Sequence, residues 1–193
     1  MHALNKKLLA EIEAGNVTET ENGLYFPELG LGVKGEYFAR VNGGAWEKEG
    51  TNLITTEGFA HILNVALGAK AKPTGYFLAL FSGSATPQAN WTAANFASVA
   101  SEIVSMTEGY TDATRPVWTA EDTSTNSIDN FVSAAKLTIA TSSELNVTGA
   151  ALLTNSTRGG TTGVLISASK YASTRTLQDG DTLEVGYRLS LSV

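Results

Sequence analysis

The chain has 193 residues, with 13 Lys and Arg against 19 Asp and Glu (a formal charge of −6), two His and no Cys. This excludes disulfide, thiolate and zinc-thiolate chemistry and argues against an affinity built on neutralising phosphates, so nucleic acid is not an expected partner. Charged residues are only 17% of the chain, whereas Ser (16) and Thr (24) supply the polar surface as hydroxyls; β-branched Thr and 19 Gly indicate strands joined by many turns.

Leu4, Leu8, Leu9 and Ile12 recur at helical spacing, with Glu11 and Glu13 on the polar side and Gly15 at a C′ position, so a short amphipathic N-terminal helix is expected. The same two Glu break the apolar run that a secretory signal needs, and synthesis in a cytoplasm is expected. No stretch approaches the ~18 apolar residues of a membrane helix, so no membrane partner is expected. Residues 17–23 are polar and read as an arm. The expected division is a helix and arm over 1–23 and a single domain over 24–193.

Asn42-Gly43-Gly44 follows an alternating segment and predicts a hairpin turn, because both leading residues tolerate positive φ. Thr56 is an expected N-cap for a helix whose Phe59, Ile62, Leu63, Ala66 and Leu67 share a face, closed by Gly68; His61 lies beside that stripe as a boundary residue. The apolar run 75–82 predicts a strand buried on both faces. Trp91 then leads into a short helix capped by Thr92, and residues 109–126 form a long connection with aromatic anchors. From residue 130 onward four β-like runs of similar length follow: 131–140, 145–154, 162–172 and 182–193. Their even spacing predicts an antiparallel sandwich or barrel, with Gln178-Asp179-Gly180-Asp181 as a turn. In the last run Leu183, Val185, Tyr187, Leu189, Leu191 and Val193 alternate with polar or small residues, the mark of a half-buried strand.

The chemistry-bearing patterns are weak. Gly30, Gly32 and Gly35 match a dinucleotide-loop spacing, but a β-like segment follows them where that motif needs a helix. Asp179 and Asp181 could offer oxygens to calcium, yet Asp-Gly is foremost a turn and no further acidic ligands follow at calcium-loop spacing. His2 and His61 are the only imidazoles, and no nucleophile elbow accompanies them. Glu108, Asp112, Glu121 and Asp122 are near one another in sequence without any pair being singled out. The reading is non-enzymatic, with no catalytic residue, metal or cofactor expected.

Several segments together carry a resemblance: Tyr76-Phe-Leu-Ala-Leu-Phe with Pro87 and Trp91-Thr-Ala-Ala-Asn-Phe, Gly109-Tyr-Thr-Asp-Ala-Thr-Arg-Pro-Val-Trp, and the ending Leu177-Gln-Asp-Gly-Asp-Thr-Leu-Glu-Val-Gly-Tyr. From about Leu24 onward the chain resembles structural proteins of tailed bacteriophage particles, in particular capsid cement or decoration proteins. The resemblance implies a mainly β, jelly-roll-like antiparallel sandwich, here with the N-terminal helix and one or two inserted short helices. It also implies a place on the capsid surface of the virion, the major capsid protein as partner, and a small homo-oligomer, a dimer or trimer. Partner contacts are expected from the arm at Leu8, Ile12, Tyr25 and Phe26 and from the aromatic loops at Trp91 and Tyr110; Trp118 is expected in the core. The alternative is a tail- or fibre-associated protein that binds a receptor or carbohydrate. A groove shared by Trp46 and Trp91 would favour that alternative, whereas apolar surface spread along an edge and the arm would favour lattice binding. A hydrolase, the third reading, would show a cleft of converging carboxylates.

Overall fold

The computed structural model describes residues 17–19, 25–27 and 32–192, with side chains described for 32–50 and 52–192. The chain forms two compact units, 1–32 with 191–193, and 33–190. In the first, β1 (Val17–Glu19) pairs antiparallel with β2 (Tyr25–Pro27), Thr18 opposite Phe26. Part of the stretch read as an arm is therefore a strand. The expected N-terminal helix, with Leu8 and Ile12, lies outside the described residues.

The second unit is an antiparallel β-sandwich. One sheet contains β3 (Gly32–Val41), β4 (Glu47–Thr51), β7 (Gly109–Tyr110), β9 (Ser127–Asp129), β10 (Ala135–Ala140) and β13 (Thr182–Ser192). Its order is β4-β3-β13-β10-β7, with β9 also paired to β13. The other contains β5 (Leu53–Ile54), β6 (Tyr76–Phe81), β8 (Val117–Trp118), β11 (Leu145–Leu153) and β12 (Leu165–Leu177), in the order β5-β12-β11-β6-β8. Two helices complete the unit, α1 (Thr56–Ala66) and α2 (Ala93–Ala100).

The interior between the sheets follows the period-two pattern. Leu183, Val185 and Tyr187 of β13 meet Leu78, Leu152 and Ile166 from the other sheet in one cluster. The hydroxyl of Tyr37 on β3 crosses this layer to Ser167 Oγ on β12, 2.9 Å away. On β6 the alternation splits two ways: Leu78 and Leu80 join the intersheet cluster, while Ala79 and Phe81 pack with Trp91, Phe96 and Ala100 under α2. That double burial explains why the strand reads as a continuous apolar run.

Turn chemistry matches its sequence signals. Asn42 (φ 52°) and Gly43 (φ 70°) form the β3–β4 turn, in which Gly44 N–H donates to Val41 O at 2.9 Å. This is the primed geometry that matches strand twist. The expected cap of α1 moves by one residue: Thr55, not Thr56, is the N-cap, accepting from Gly58 N–H at 3.0 Å and donating to Leu165 O. It does so because its extended backbone also lets its N–H bond Ile166 O, tying the helix start to β12. At α2, Asn95 Oδ1 accepts from Thr92 N–H at 2.9 Å, as the predicted cap requires.

Candidate docking surface

Helix α1 carries more apolar side chains than one face can bury. Around a wheel of about 100° per residue, Val65, Ile62, Ala66, Phe59, Leu63 and Leu67 span roughly 200°. The buried face centres on Gly58 and His61. A Cβ at Gly58 would lie 2.1 Å from Ile166 O, so the glycine lets the helix backbone rest directly on β12. This seat sends the other edge of the arc outward: Phe59 is 43% exposed, Leu63 59% and Leu67, just past the helix, 85%. At four-residue spacing these three form one ridge. The stripe that shares a face in the sequence is therefore only partly covered, because the close approach at Gly58 fixes the rotation of the helix.

His61 is likewise more deeply placed than a boundary residue, at 6% exposed. Its Nε2 lies 3.1 Å from the Tyr76 hydroxyl, and Nδ1 has no hydrogen-bond partner. Burial, reinforced by the positive charge of Lys70 and partly offset by Glu57, holds its pKa below the usual histidine value. Tyr76 begins an aromatic ladder, edge-on to Trp118 at 6.0 Å, which in turn meets Tyr187 at 6.1 Å. Trp118 Nε1–H donates to Tyr187 O at 3.1 Å, and burial pushes the Tyr187 hydroxyl up to about 12.

Between α1 and this ladder lies a cleft of about 260 Å³, walled by Ile62, Val65, Leu152, Ile166 and Leu189 as well as the rings, with Lys72 at its margin. It adjoins, at Lys72, Tyr76, Trp118 and Ile128, a second depression beside Thr119 and Asp122. The depression in turn adjoins a polar shelf lined by Glu121, Asp122 and Asp129. The result is one groove, apolar at the helix and acidic at its far end.

The loops at residues 101–115 and 154–164 are fastened by two arginines, Arg115 buried and Arg158 half-buried. Arg115 and Glu102 form a bidentate pair with both bonds at 2.7 Å and no exposed side-chain surface. Arg115 also donates to Asn155 O, and Glu102 accepts from Gly159 N–H. Arg158 lies 3.6 Å over the Tyr110 ring and donates to the carbonyls of Ser105, Tyr110 and Asp112. At another edge Arg175 on β12 reaches Glu49 and Glu47 on β4, clasping one sheet to the other. Burial raises the Glu49 carboxyl pKa, against the lowering effect of Arg175.

Of the residues expected at partner contacts, Tyr25 and Phe26 lie on β2, and their side chains are outside the described set. Trp91 is 5% exposed and packs on Phe81, and Tyr110 has no exposed surface. In this fold both rings face inward, because α2 and Arg158 cover them. Trp46 is half-buried with Arg40 over its ring at 4.7 Å and Phe131 beside it, away from Trp91's core cluster. Trp118, expected in the core, packs against the interior while lining the cleft. Sequence reasoning missed the α1 ridge and the cleft; the width of the apolar arc was the available signal.

Asp179 accepts from Thr141 N–H, and Asp181 accepts from Asn42 and from Gln178 N–H, so both carboxylates fasten turns to one another. Glu108 accepts from Thr141 and Ser142. Among the described residues no group of three or more His, Asp or Glu is placed to hold a metal ion, and no helix is long and apolar enough to cross a membrane. Gly32 and Gly35, from the dinucleotide-like spacing, lie within β3. No family model and no curated protein matches the chain.

Proposed function

We propose that the protein is a non-enzymatic structural component of a tailed-phage particle that binds the outside of the capsid lattice, bridges capsid subunits and acts there as a small homo-oligomer. The observation carrying this reading is the exposed ridge of Phe59, Leu63 and Leu67 on a helix seated firmly on a braced sandwich. Adjacent large apolar side chains left in water mark a surface that gains by being covered. The resemblance in residues 76–96, 109–118 and 177–187 supplies the kind of assembly. Trp46 and Trp91 share no groove, which weakens the carbohydrate-binding alternative.

A protein that binds assembled shell and not its dissociated subunits stabilises assembly by its binding free energy at every copy. Such work needs a stiff body and a sticky face, and no reaction. The test is cosedimentation with empty shells, compared with tail preparations from the same virus. Wild-type protein is expected to pellet with shells, and a Leu63→Glu, Leu67→Glu variant to stay in the supernatant while its melting temperature stays close to wild type. Pelleting with tails alone, or equal pelleting of the variant with shells, would refute the reading.

A further inference from the structure

We infer that the groove running from the cleft under α1 to the Glu121–Asp122 shelf is a docking site for an extended peptide segment of a partner protein, with one apolar anchor residue and a basic residue close by. The inference deepens the proposed docking role by naming the partner's chemistry at this face, and it rests on that role but not on the identity of the assembly.

Three observations set the occupant. The first is shape: the apolar end of the groove, about 260 Å³, is large enough to take one inserted side chain. Its walls are aliphatic and aromatic, with Ile62, Val65, Leu152 and Leu189 facing Tyr76 and Trp118. An apolar side chain placed there would be removed from water on most sides, as interface anchors are.

The second is backbone. The groove passes the two-residue strand β8, which is the last strand of its sheet and is followed by residues 119–126 without regular structure. One side of β8 pairs with β6, Tyr76 opposite Trp118. The other side is a sheet edge, which suits an extended chain in preference to a helix.

The third is charge. Lys72 lines both the apolar end and the depression beside Asp122, and the far shelf carries Glu121, Asp122 and Asp129. Asp129 is engaged by Arg188 at 3.0 Å, leaving Glu121 and Asp122, both exposed, as the acids that face an incoming segment. A Lys or Arg beside the anchor complements them, and an acidic residue there is repelled.

The probe is a panel of fluorescein-labelled octapeptides on a Gly/Ser background, carrying Leu, Phe or Ser as anchor and Lys or Glu two, three or four positions before or after it. Binding to the full-length protein is read by anisotropy, with Trp emission as a second signal. The best Leu or Phe peptide with Lys is expected to bind about ten- to hundredfold more tightly than its Ser counterpart. It is expected to exceed its Glu counterpart by about three- to tenfold at low salt, with the difference shrinking as salt rises. In a Glu121→Lys, Asp122→Lys variant, whose changes lie on exposed loop positions, the charge preference is expected to reverse. A Val65→Trp variant, filling the cleft wall, is expected to erase the anchor preference. Absence of binding by the whole panel at millimolar concentration would overturn the inference, as would equal affinity of Lys and Glu peptides or a preference unchanged by the charge reversal. Because the peptide assay contains no shells, its failure and a failure of shell cosedimentation are read separately.

Discussion

At the scale of single residues, the most consequential side chain is Arg115, fully buried and donating from Nε and Nη2 to the two carboxylate oxygens of Glu102. Desolvating two ions offsets much of their attraction, but removing one partner leaves the other charge stranded. Arg115→Ala is therefore expected to lower stability by about 3–5 kcal/mol, a fall in melting temperature on the order of 10 °C for a chain of this size. A paired Arg115→Met, Glu102→Leu replacement is expected to lose far less, and urea unfolding of the three proteins checks both statements. His61 gives the second prediction. Its folded-state pKa is depressed by burial, so the unfolded chain takes up a proton first as pH falls through about 6.5. The stability linked to His61 is complete above that pH and is lost as pH falls toward the folded-state value. Urea midpoints at pH 7.5, 6.5 and 5.5 are expected to decline, and His61→Gln is expected to decline less over the same interval.

The element that decides the surface is α1. Thr55 caps it, and Glu57 ties it to its surroundings by accepting from Ala93 N–H at 2.7 Å and from Leu165 N–H at 2.5 Å. Three elements thus meet at one carboxylate: α1, the start of α2 and the start of β12. Gly58 sets the helix depth, so Gly58→Ala is expected to force the helix off β12 at a cost of about 1–3 kcal/mol, typical of overpacking. Calorimetry of that variant tests the depth argument, and a melting temperature unchanged from wild type would refute it. Residues of the outer ridge behave differently: Leu63 and Leu67 are exposed, and substitutions there are expected to change stability by less than about 0.5 kcal/mol while changing association. The helix was legible from its period, with its cap displaced by one residue, yet its rotation was not. Period alone locates an apolar arc, and only the contact at Ile166 O shows which part of a 200° arc is covered.

For the whole molecule, sequence-distant strands provide the closure. β13 lies between β3 and β10, joining strands that begin near residues 32 and 135. A chain ended at residue 181 lacks this strand and the Leu183, Val185 and Tyr187 side of the core, so it is expected to remain unfolded, with no cooperative urea transition. The β-rich class, the inward set Leu183, Val185 and Tyr187 of β13, the doubly buried run of β6 and the Asn42-Gly43 turn were legible in the amino-acid sequence. Each of these is written in local periodicity or in backbone conformations that few residues adopt. Leu191, expected inward by the same alternation, is instead 42% exposed. That Trp91 and Tyr110 face inward, that Arg115 finds Glu102, and that α1 turns Leu63 and Leu67 to water while Ile62 and Val65 line an aromatic-walled cleft came from tertiary packing alone. Those outcomes depend on which distant surface each side chain meets, and sequence spacing carries no record of partners brought together by the folding of two sheets.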